Sequence, residues 1–222
     1  MISIEKINKS FGKKQILNDI SFSAEKGCCI GILGANGSGK STLFSILAGI
    51  IDCDKGEFLY QGKNLITDEK LRSRVVGYVP QNTPLFEELT AKDNLSLWYS
   101  RAEIDKQLDN GVLSLLGINN FINLPVYKMS GGMKKRLAIG CAVANNPKIL
   151  ILDEPSAALD IVCKESISSY LNDYKKNGGI ILLATHDIQE LSLCDSLYIL
   201  KDAKLETFVF DGNVSRLAGS LQ

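Results

Sequence analysis

This sequence of 222 residues has no net charge, no C-x-x-C pair of cysteines and no long apolar run. Its 25 basic side chains equal its 25 acidic ones, which argues against a protein that gains affinity by neutralising many phosphates of DNA or RNA. No stretch reaches the roughly 18 apolar residues of a membrane span, and the opening MISIEKINKS alternates apolar and polar side chains, unlike a signal peptide. We therefore expect a cytoplasmic chain that binds no nucleic acid.

The six cysteines show no C-x-x-C spacing, which argues against a zinc site or a thioredoxin-like redox motif. Several stand in apolar runs, where a reduced thiol behaves as a small hydrophobic side chain. A chain of this length buries roughly 70% of its unfolded surface. It needs neither a disulfide nor a metal to form a stable core.

Two kinds of apolar pattern predict two kinds of strand. The segments 2–12 and 15–27 alternate as half-buried strands do, which indicates an antiparallel patch at the N-terminus. The runs CCIGIL (28–33), KILILD (148–153) and GIILLA (179–184) are apolar throughout, as in parallel strands covered on both faces. With VVGYVP (75–80) and the helical patterns between the runs, they predict an α/β fold with a mostly parallel sheet.

A mainly helical segment interrupts this alternation. Thr90 with Asp93 three residues later predicts a helix N-cap. Apolar residues then recur at helical spacing as far as Gly117, and these are Ile104, Leu108, Val112 and Leu115. We therefore expect one domain over 1–222, with an α/β core formed by 1–82 and 147–222 and an inserted α-helical subdomain over 83–146.

The loop GANGSGKST fits G-x-x-x-x-G-K-[ST], a P-loop pattern in which backbone N–H groups surround phosphate oxygens. Lys40 supplies a positive charge near the β and γ phosphates, and Ser41 offers a hydroxyl to Mg²⁺. A glycine-rich turn that binds nothing is the alternative, but a strand precedes the loop and a helix follows it. The predicted nucleotide-binding residues here are Gly34, Ala35, Asn36, Gly37, Ser38, Gly39, Lys40, Ser41 and Thr42.

Three further side chains follow the ends of buried strands. Asp153 ends one apolar run and is placed to bind a metal ion, and Glu154 beside it is a candidate for polarising a water molecule. His186, the single histidine, follows the next run. Because the carboxyl ends of parallel strands meet at one edge, these residues should converge on Ser41. The alternatives are an acidic pair that caps a turn before Pro155 and a surface histidine.

A second glycine loop, KMSGGMKKR (128–136), completes a set of seven segments that together resemble the nucleotide-binding subunit of an ABC transporter over about residues 2–210. In this resemblance Phe11 is the aromatic residue that stacks on adenine, and Gln81 is the Q-loop glutamine. The other five segments are GANGSGKST as Walker A, MSGGM as the signature, ILILDEP as Walker B, SAALD as the D-loop and ATHD as the histidine switch.

The resemblance implies an ATP hydrolase that works as a head-to-tail dimer of two copies, or of this chain and a close relative. Ser130, Gly131 and Gly132 would close on the ATP held by the partner, and Asp160 of the D-loop would also contribute to nucleotide binding. Gln81 would join Ser41 and Asp153 at Mg²⁺ and act with Glu154 and His186 in catalysis. The partner outside the dimer would be a transmembrane permease, with the chain peripheral on the inner face of the cell membrane.

Met133 stands where this family most often has glutamine, and a thioether cannot donate a hydrogen bond. The segment SGGMKKRL resembles the bacterial exporter branch, which implies export. Lys134, Lys135 and Arg136 are otherwise expected to form a solvated helix face. Two other classes remain: a soluble ABC ATPase acting on ribosomes or DNA, and a plain P-loop kinase, which would leave MSGGM and His186 without a role.

Overall fold

The computed structural model describes residues 1–156, 159–213, 217 and 219. Its strands are β1 (Ile2–Phe11), β2 (Lys14–Ala24), β3 (Cys29–Leu33), β4 (Lys55–Tyr60), β5 (Lys63–Asn64), β6 (Val76–Val79), β7 (Ile149–Asp153), β8 (Ile180–Ala184), β9 (Ser196–Lys201) and β10 (Lys204–Phe208). Its α-helices are α1 (Lys40–Ala48), α2 (Glu69–Val75), α3 (Ala91–Leu95), α4 (Arg101–Asn110), α5 (Val112–Leu115), α6 (Gly131–Ala142), α7 (Ile161–Lys176) and α8 (Ile188–Leu191). Two 3₁₀ turns lie at Ile118–Phe121 and Val126–Lys128.

The strands form two sheets. The first is antiparallel, in the order β2-β1-β4-β5, and its alternating residues bury one face, as the sequence predicted. The second has the order β10-β9-β3-β8-β7-β6, in which only the β9–β10 pair is antiparallel. The predicted α/β fold with a mostly parallel sheet is thus confirmed.

The parallel sheet is covered on both faces, which explains why its central strands are apolar throughout. Every residue of β3, β7 and β8 is buried. Ile149 and Ile151 pack on the side of α1 and the antiparallel sheet, while Leu150 and Leu152 pack on the side of the helices between β6 and β7. Alternate side chains of one strand therefore enter two separate hydrophobic clusters.

The register of the sheet brings three strand ends to one edge. Ala184 of β8 pairs with Asp153 of β7 on one side and with Ile32 of β3 on the other. The residues that follow these three positions are the phosphate loop after β3, Glu154 after β7 and the segment with His186 after β8. Strand pairing alone thus places the three predicted segments side by side.

The helices between β6 and β7 differ from the sequence prediction at one point. Thr90 and Asp93 form the predicted capping box, but the apolar spacing through Leu115 does not produce a single helix. Helix α4 ends at Asn110 with Gly111 as its C-cap, and the side chain of Gln107 accepts a hydrogen bond from the backbone N–H of Val112, the first residue of α5, at 2.8 Å. After this break Leu115 is 41% exposed.

Among the described residues, none of the helices has the length and apolar character needed to cross a membrane.

Candidate active site

The phosphate loop lies between β3 and α1, as its pattern requires. Gly34, Gly37 and Gly39 have φ values of 154°, 80° and 112°, in the region that favours glycine. A Cβ atom at Gly34 would also lie only 2.6 Å from the carbonyl oxygen of Leu200. Both the backbone conformation and the close approach of a neighbouring strand therefore require glycine at the start of the loop.

Lys40 is buried inside its own loop. Its side chain is 6% exposed, and Nζ donates hydrogen bonds to the carbonyl oxygens of Gly34 at 2.6 Å and Ala35 at 3.1 Å. Burial lowers the pKa of this ammonium, and the nearby carboxylates of Glu154 and Asp153 oppose the lowering. The loop thus holds a positive charge at its centre, where phosphate oxygens would gather.

Asp153 and Ser41 offer hard oxygen atoms beside this charge. Asp153 is 2% exposed, and burial raises the pKa of its carboxyl group, against a hydrogen bond from Ser41 that lowers it. One carboxylate oxygen, Oδ2, has no hydrogen-bond partner among the described residues. An unpartnered buried carboxylate oxygen next to a hydroxyl is a donor set that suits Mg²⁺.

Glu154 lies between two side chains from other parts of the chain. Gln81 Nε2 donates a hydrogen bond to its Oε2 at 2.9 Å, and His186 Nε2 lies 3.7 Å from its Oε1. The backbone N–H of Glu154 donates to the carbonyl oxygen of Ala184 at 2.9 Å. Its φ of 50° lies in the left-handed region, which is unusual for a residue with a side chain.

His186 has a lowered pKa. Partial burial is the main cause, the positive charge of Lys40 adds to it, and the carboxylate of Glu154 opposes it. Since an ordinary histidine has a pKa near 6.5, the imidazole of His186 is neutral at pH 7. A neutral imidazole carries one N–H donor and one acceptor nitrogen.

The carboxylate of Glu190, for which the sequence predicted no role, helps to hold the segment that contains His186. Glu190 is 2% exposed, and its carboxylate accepts a hydrogen bond from the hydroxyl of Thr185. The same hydroxyl accepts a hydrogen bond from the backbone N–H of Asp187 at 2.9 Å. The residues on both sides of His186 are therefore fixed by one hydroxyl, a contact that no local sequence pattern announces.

An open cavity of about 400 Å³ brings together seven of the fourteen predicted nucleotide-binding residues, with Gln81 and Glu154. Phe11, at the end of β1, is 54% exposed on its wall, and Lys9 Nζ lies 5.3 Å from the centre of its ring. The predicted site residues among its lining are Phe11, Asn36, Gly37, Gly39, Lys40, Ser41, Thr42, Gln81 and Glu154. Gly34, Ala35 and Ser38 line a neighbouring cavity instead, and Ser130, Gly131, Gly132 and Asp160 line neither of the two.

The second glycine loop begins α6. Ser130 is its N-cap, and its hydroxyl accepts a hydrogen bond from the backbone N–H of Met133 at 3.3 Å. A Cβ atom at Gly132 would lie 2.6 Å from Cys163 Sγ, whereas one at Gly131 would meet nothing within 4 Å. Packing thus explains Gly132, but neither packing nor a positive φ explains Gly131.

Asp160 has a structural task as the N-cap of α7, where its carboxylate accepts a hydrogen bond from the backbone N–H of Cys163 at 2.8 Å. Hydrogen bonds to Cys163 hold the pKa of Asp160 below its ordinary value. Of the D-loop segment SAALD, Ala157 and Ala158 lie outside the described residues.

The expectation of a solvated basic face on α6 is wrong for two of its three residues. Lys134 pairs with exposed Glu87 at 2.8 Å. Lys135 is 6% exposed and donates hydrogen bonds to two backbone carbonyl oxygens, while Arg136 donates one to the carbonyl oxygen of Leu116 at 3.0 Å. Lys135 is thus buried and Arg136 half-buried, and backbone carbonyl oxygens accept hydrogen bonds from both.

Comparison with known proteins gives consistent matches over nearly the whole chain. Residues 17–157 match the family model described as ABC transporter. A probable sulfate/thiosulfate import ATP-binding protein of Chlorella vulgaris is 35% identical over 210 residues, which cover 92% of this chain and 89% of that protein. A lantibiotic transport ATP-binding protein of Streptococcus pyogenes is 30% identical over 206 residues, with the same two coverages of 92% and 89%.

Solved structures match as well. A dimeric ATP-binding cassette in a post-hydrolysis state, bound to ADP and Pi, has a TM-score of 0.83 and 28% identity, over 95% of this chain and 100% of that one. A nucleotide-free ATP-binding cassette from an ABC transporter has a TM-score of 0.84 and 25% identity, over 99% of this chain and 95% of that one.

Proposed function

The chain belongs to the ABC transporter family as an ATP-binding, ATP-hydrolysing subunit, and we propose that it uses Mg²⁺-ATP in a dimer to drive export through a separate membrane permease. One observation carries the assignment of the site. Glu154 stands within 2.9 Å of Gln81 and 3.7 Å of His186, at the sheet edge where the phosphate loop begins.

The phosphate loop and Phe11 are proposed to bind the nucleotide. Backbone N–H groups of the loop and the N-terminus of α1 face the phosphates, and Lys40 exchanges its contacts with the loop carbonyls for contacts with the β and γ phosphates. The exposed ring of Phe11 stacks on the adenine. The open cavity described above is then the place of the triphosphate.

Ser41, Asp153 and Gln81 are proposed to hold Mg²⁺ together with the phosphates. The unpartnered Oδ2 atom of Asp153 supports this assignment, because a buried carboxylate oxygen without a partner is costly. When bound, the ion neutralises charge on the β and γ phosphates during hydrolysis.

Glu154 is proposed to orient the attacking water and to accept its proton. The water oxygen forms a bond to the γ phosphorus, the bond from that phosphorus to the β–γ bridging oxygen breaks, and ADP leaves. Neutral His186 donates a hydrogen bond to the γ phosphate. Gln81 holds the Glu154 carboxylate in place through the contact at 2.9 Å.

A second ATPase subunit, either another copy or a close relative, is proposed to complete each site. Ser130, Gly131 and Gly132 do not line the chain's own cavity, and we infer that their donors face a γ phosphate held by the partner. The open space beside Gly131 supports this arrangement, because a phosphate that approaches closely would exclude a side chain there. Asp160 caps α7 at Cys163, the residue against which Gly132 packs.

The permease is proposed to dock in the groove between the α/β core (1–82 and 147–222) and the helical subdomain (83–146). Tyr78 and Pro80 of the core line this groove together with Pro84, Phe86 and Trp98. Phe86 is 60% exposed and Trp98 57% exposed, and exposed aromatic side chains in a groove favour a protein partner. The chain would then lie on the inner face of the membrane. Export rests on the SGGMKKRL resemblance.

Phosphate release from ATP tests the assignment. The purified chain should release phosphate only with Mg²⁺, and Lys40→Ala should abolish release because it removes the charge at the centre of the loop. Activity that persists in Lys40→Ala would contradict the proposed site. Substrate uptake by inside-out vesicles containing chain and permease tests the direction, since export from the cell becomes uptake in that orientation.

A further inference from the structure

We propose that Lys135 is a positioning residue that connects the second glycine loop to Glu154 through the backbone of Gln81. This inference rests on the proposed function, because it assigns to Lys135 an effect on hydrolysis by Glu154. It concerns a residue that the sequence alone places on a solvated face.

The contacts of Lys135 form a short path across the molecule. Its Nζ donates hydrogen bonds to the carbonyl oxygens of Pro80 at 3.2 Å and Gln81 at 3.0 Å. The side chain of Gln81 then donates to Glu154 at 2.9 Å. Along this path only Gln81 lies between Lys135 and the carboxylate of Glu154. In the sequence, Lys135 is 19 positions from Glu154 and 54 from Gln81.

The same helix begins at the loop proposed to contact the partner's nucleotide. Ser130 caps α6, and Lys135 lies on the inner side of that helix, little more than one turn after the cap. A displacement of α6 when its N-terminus binds a phosphate would therefore move Nζ and, with it, the two carbonyl oxygens. Through this contact, the nucleotide bound by the partner would affect the position of Glu154, which acts on the nucleotide bound by this chain.

The burial of Lys135 also needs an explanation beyond folding. Its side chain is 6% exposed, and no salt bridge pairs it with a carboxylate among the described residues. Burial lowers the pKa of this ammonium, and Asp153, Glu154 and Glu190 oppose the lowering. A buried ammonium costs more free energy than an apolar side chain of the same size. A charge retained at such a cost, in the field of Asp153 and Glu154, supports a role in hydrolysis.

The sequence offers a matched control in the neighbouring Lys134, whose partner is exposed Glu87. Steady-state hydrolysis of Mg²⁺-ATP by the full chain should be compared for Lys135→Met, Lys135→Arg and Lys134→Met. We expect Lys135→Met to lower kcat by roughly 10–100-fold, the size of effect expected when a catalytic group is misplaced. The KM for ATP should stay near that of the wild type, because the hydrogen bonds of Lys135 within the described residues go to Pro80 and Gln81 and none goes to the phosphate loop.

Lys135→Arg should recover most of the loss, since it keeps a charged donor, and Lys134→Met should match the wild type. If Lys135→Met does not fold, Lys135→Gln replaces it, because the glutamine side chain is uncharged and one bond too short to keep both hydrogen bonds. A wild-type kcat for folded Lys135→Met, or for Lys135→Gln where it stands in, overturns the proposal, as does a rise in KM alone.

A double-mutant cycle tests whether the effect passes through Gln81. In a Gln81→Ala background, Lys135→Met should have little further effect, because the side chain that reaches Glu154 is gone. Losses of kcat that multiply in the double variant overturn this route. Glu154→Gln, measured in parallel, separates two failures. A normal rate for that variant contradicts the role of Glu154, whereas a slow Glu154→Gln beside a normal Lys135→Met contradicts only the inference about Lys135.

Discussion

The side-chain amide of Gln81 donates a hydrogen bond to the carboxylate of Glu154 across 2.9 Å. Gln81 follows β6, the last strand before the helical subdomain, and Glu154 follows β7, the first strand after it. This hydrogen bond therefore joins the two ends of the segment between β6 and β7. A displacement of Gln81 would therefore act directly on the orientation of this carboxylate.

Glu154→Gln should slow ATP hydrolysis by about 10²–10⁴-fold, because an amide cannot accept the proton of the attacking water. ATP binding should persist, since Lys40 and the loop are unchanged, and the ATP-bound dimer should accumulate. Phosphate release, nucleotide binding and size-exclusion chromatography measure the three effects. Glu165→Gln, at an exposed position on α7, is the matched control. Near-normal turnover would remove Glu154 from its role.

The two glycines of the signature should respond differently to alanine. Gly131→Ala should keep or raise the thermal stability, because its Cβ meets nothing in the chain and alanine favours a helix over glycine. It should nevertheless lose ATP-dependent dimer formation and hydrolysis. Gly132→Ala should destabilise the fold by about 1–3 kcal/mol through contact with Cys163. A fully active Gly131→Ala would show that no phosphate approaches there.

Mixing a Ser130→Ala variant with a Lys40→Ala variant should restore one intact composite site in each mixed dimer. In that dimer, the wild-type Lys40 and the wild-type Ser130 come from opposite subunits and face the same nucleotide. ATP-induced closure, measured over a range of mixing ratios, should therefore exceed that of either variant alone. Failure to recover closure at every ratio would contradict a shared site.

The pKa of His186 should lie below 6.5 in the nucleotide-free protein. As the single histidine, it gives one titrating imidazole signal in an NMR pH series. Lys40→Ala should raise this pKa, because it removes a positive charge that disfavours protonation. Glu154→Gln should lower it, because it removes a negative charge that favours protonation. Shifts in the opposite directions would show that His186 does not sense these two side chains.

Phe11→Ala should weaken ATP binding by ~1–3 kcal/mol through the loss of stacking on the adenine. The same change should affect binding of inorganic triphosphate far less, which separates contact with the base from contact with the phosphates. Phe86→Ala is a suitable control, since its exposed ring lines the other groove. Unchanged ATP affinity in Phe11→Ala would assign the adenine to another residue.

The sequence was sufficient where a structure depends on neighbouring residues. The strand before Gly34, the helix from Lys40 and the cap at Thr90 all follow from local patterns, and the α/β fold and family follow from their order. It was insufficient where partners are distant. The carbonyl oxygens that accept hydrogen bonds from Lys135 lie 54 and 55 residues away, and after the helix break at Gly111 the predicted apolar position Leu115 is exposed.

The left-handed backbone of Glu154 has a consequence for how this protein can be improved. An L-residue pays roughly 1–2 kcal/mol to adopt that conformation, and glycine adopts it without strain. A screen for thermal robustness alone would therefore favour Glu154→Gly and select a sturdier chain that no longer turns over ATP. At this position thermal stability and catalytic activity are opposed, because the carboxylate needed for hydrolysis is carried by a strained backbone.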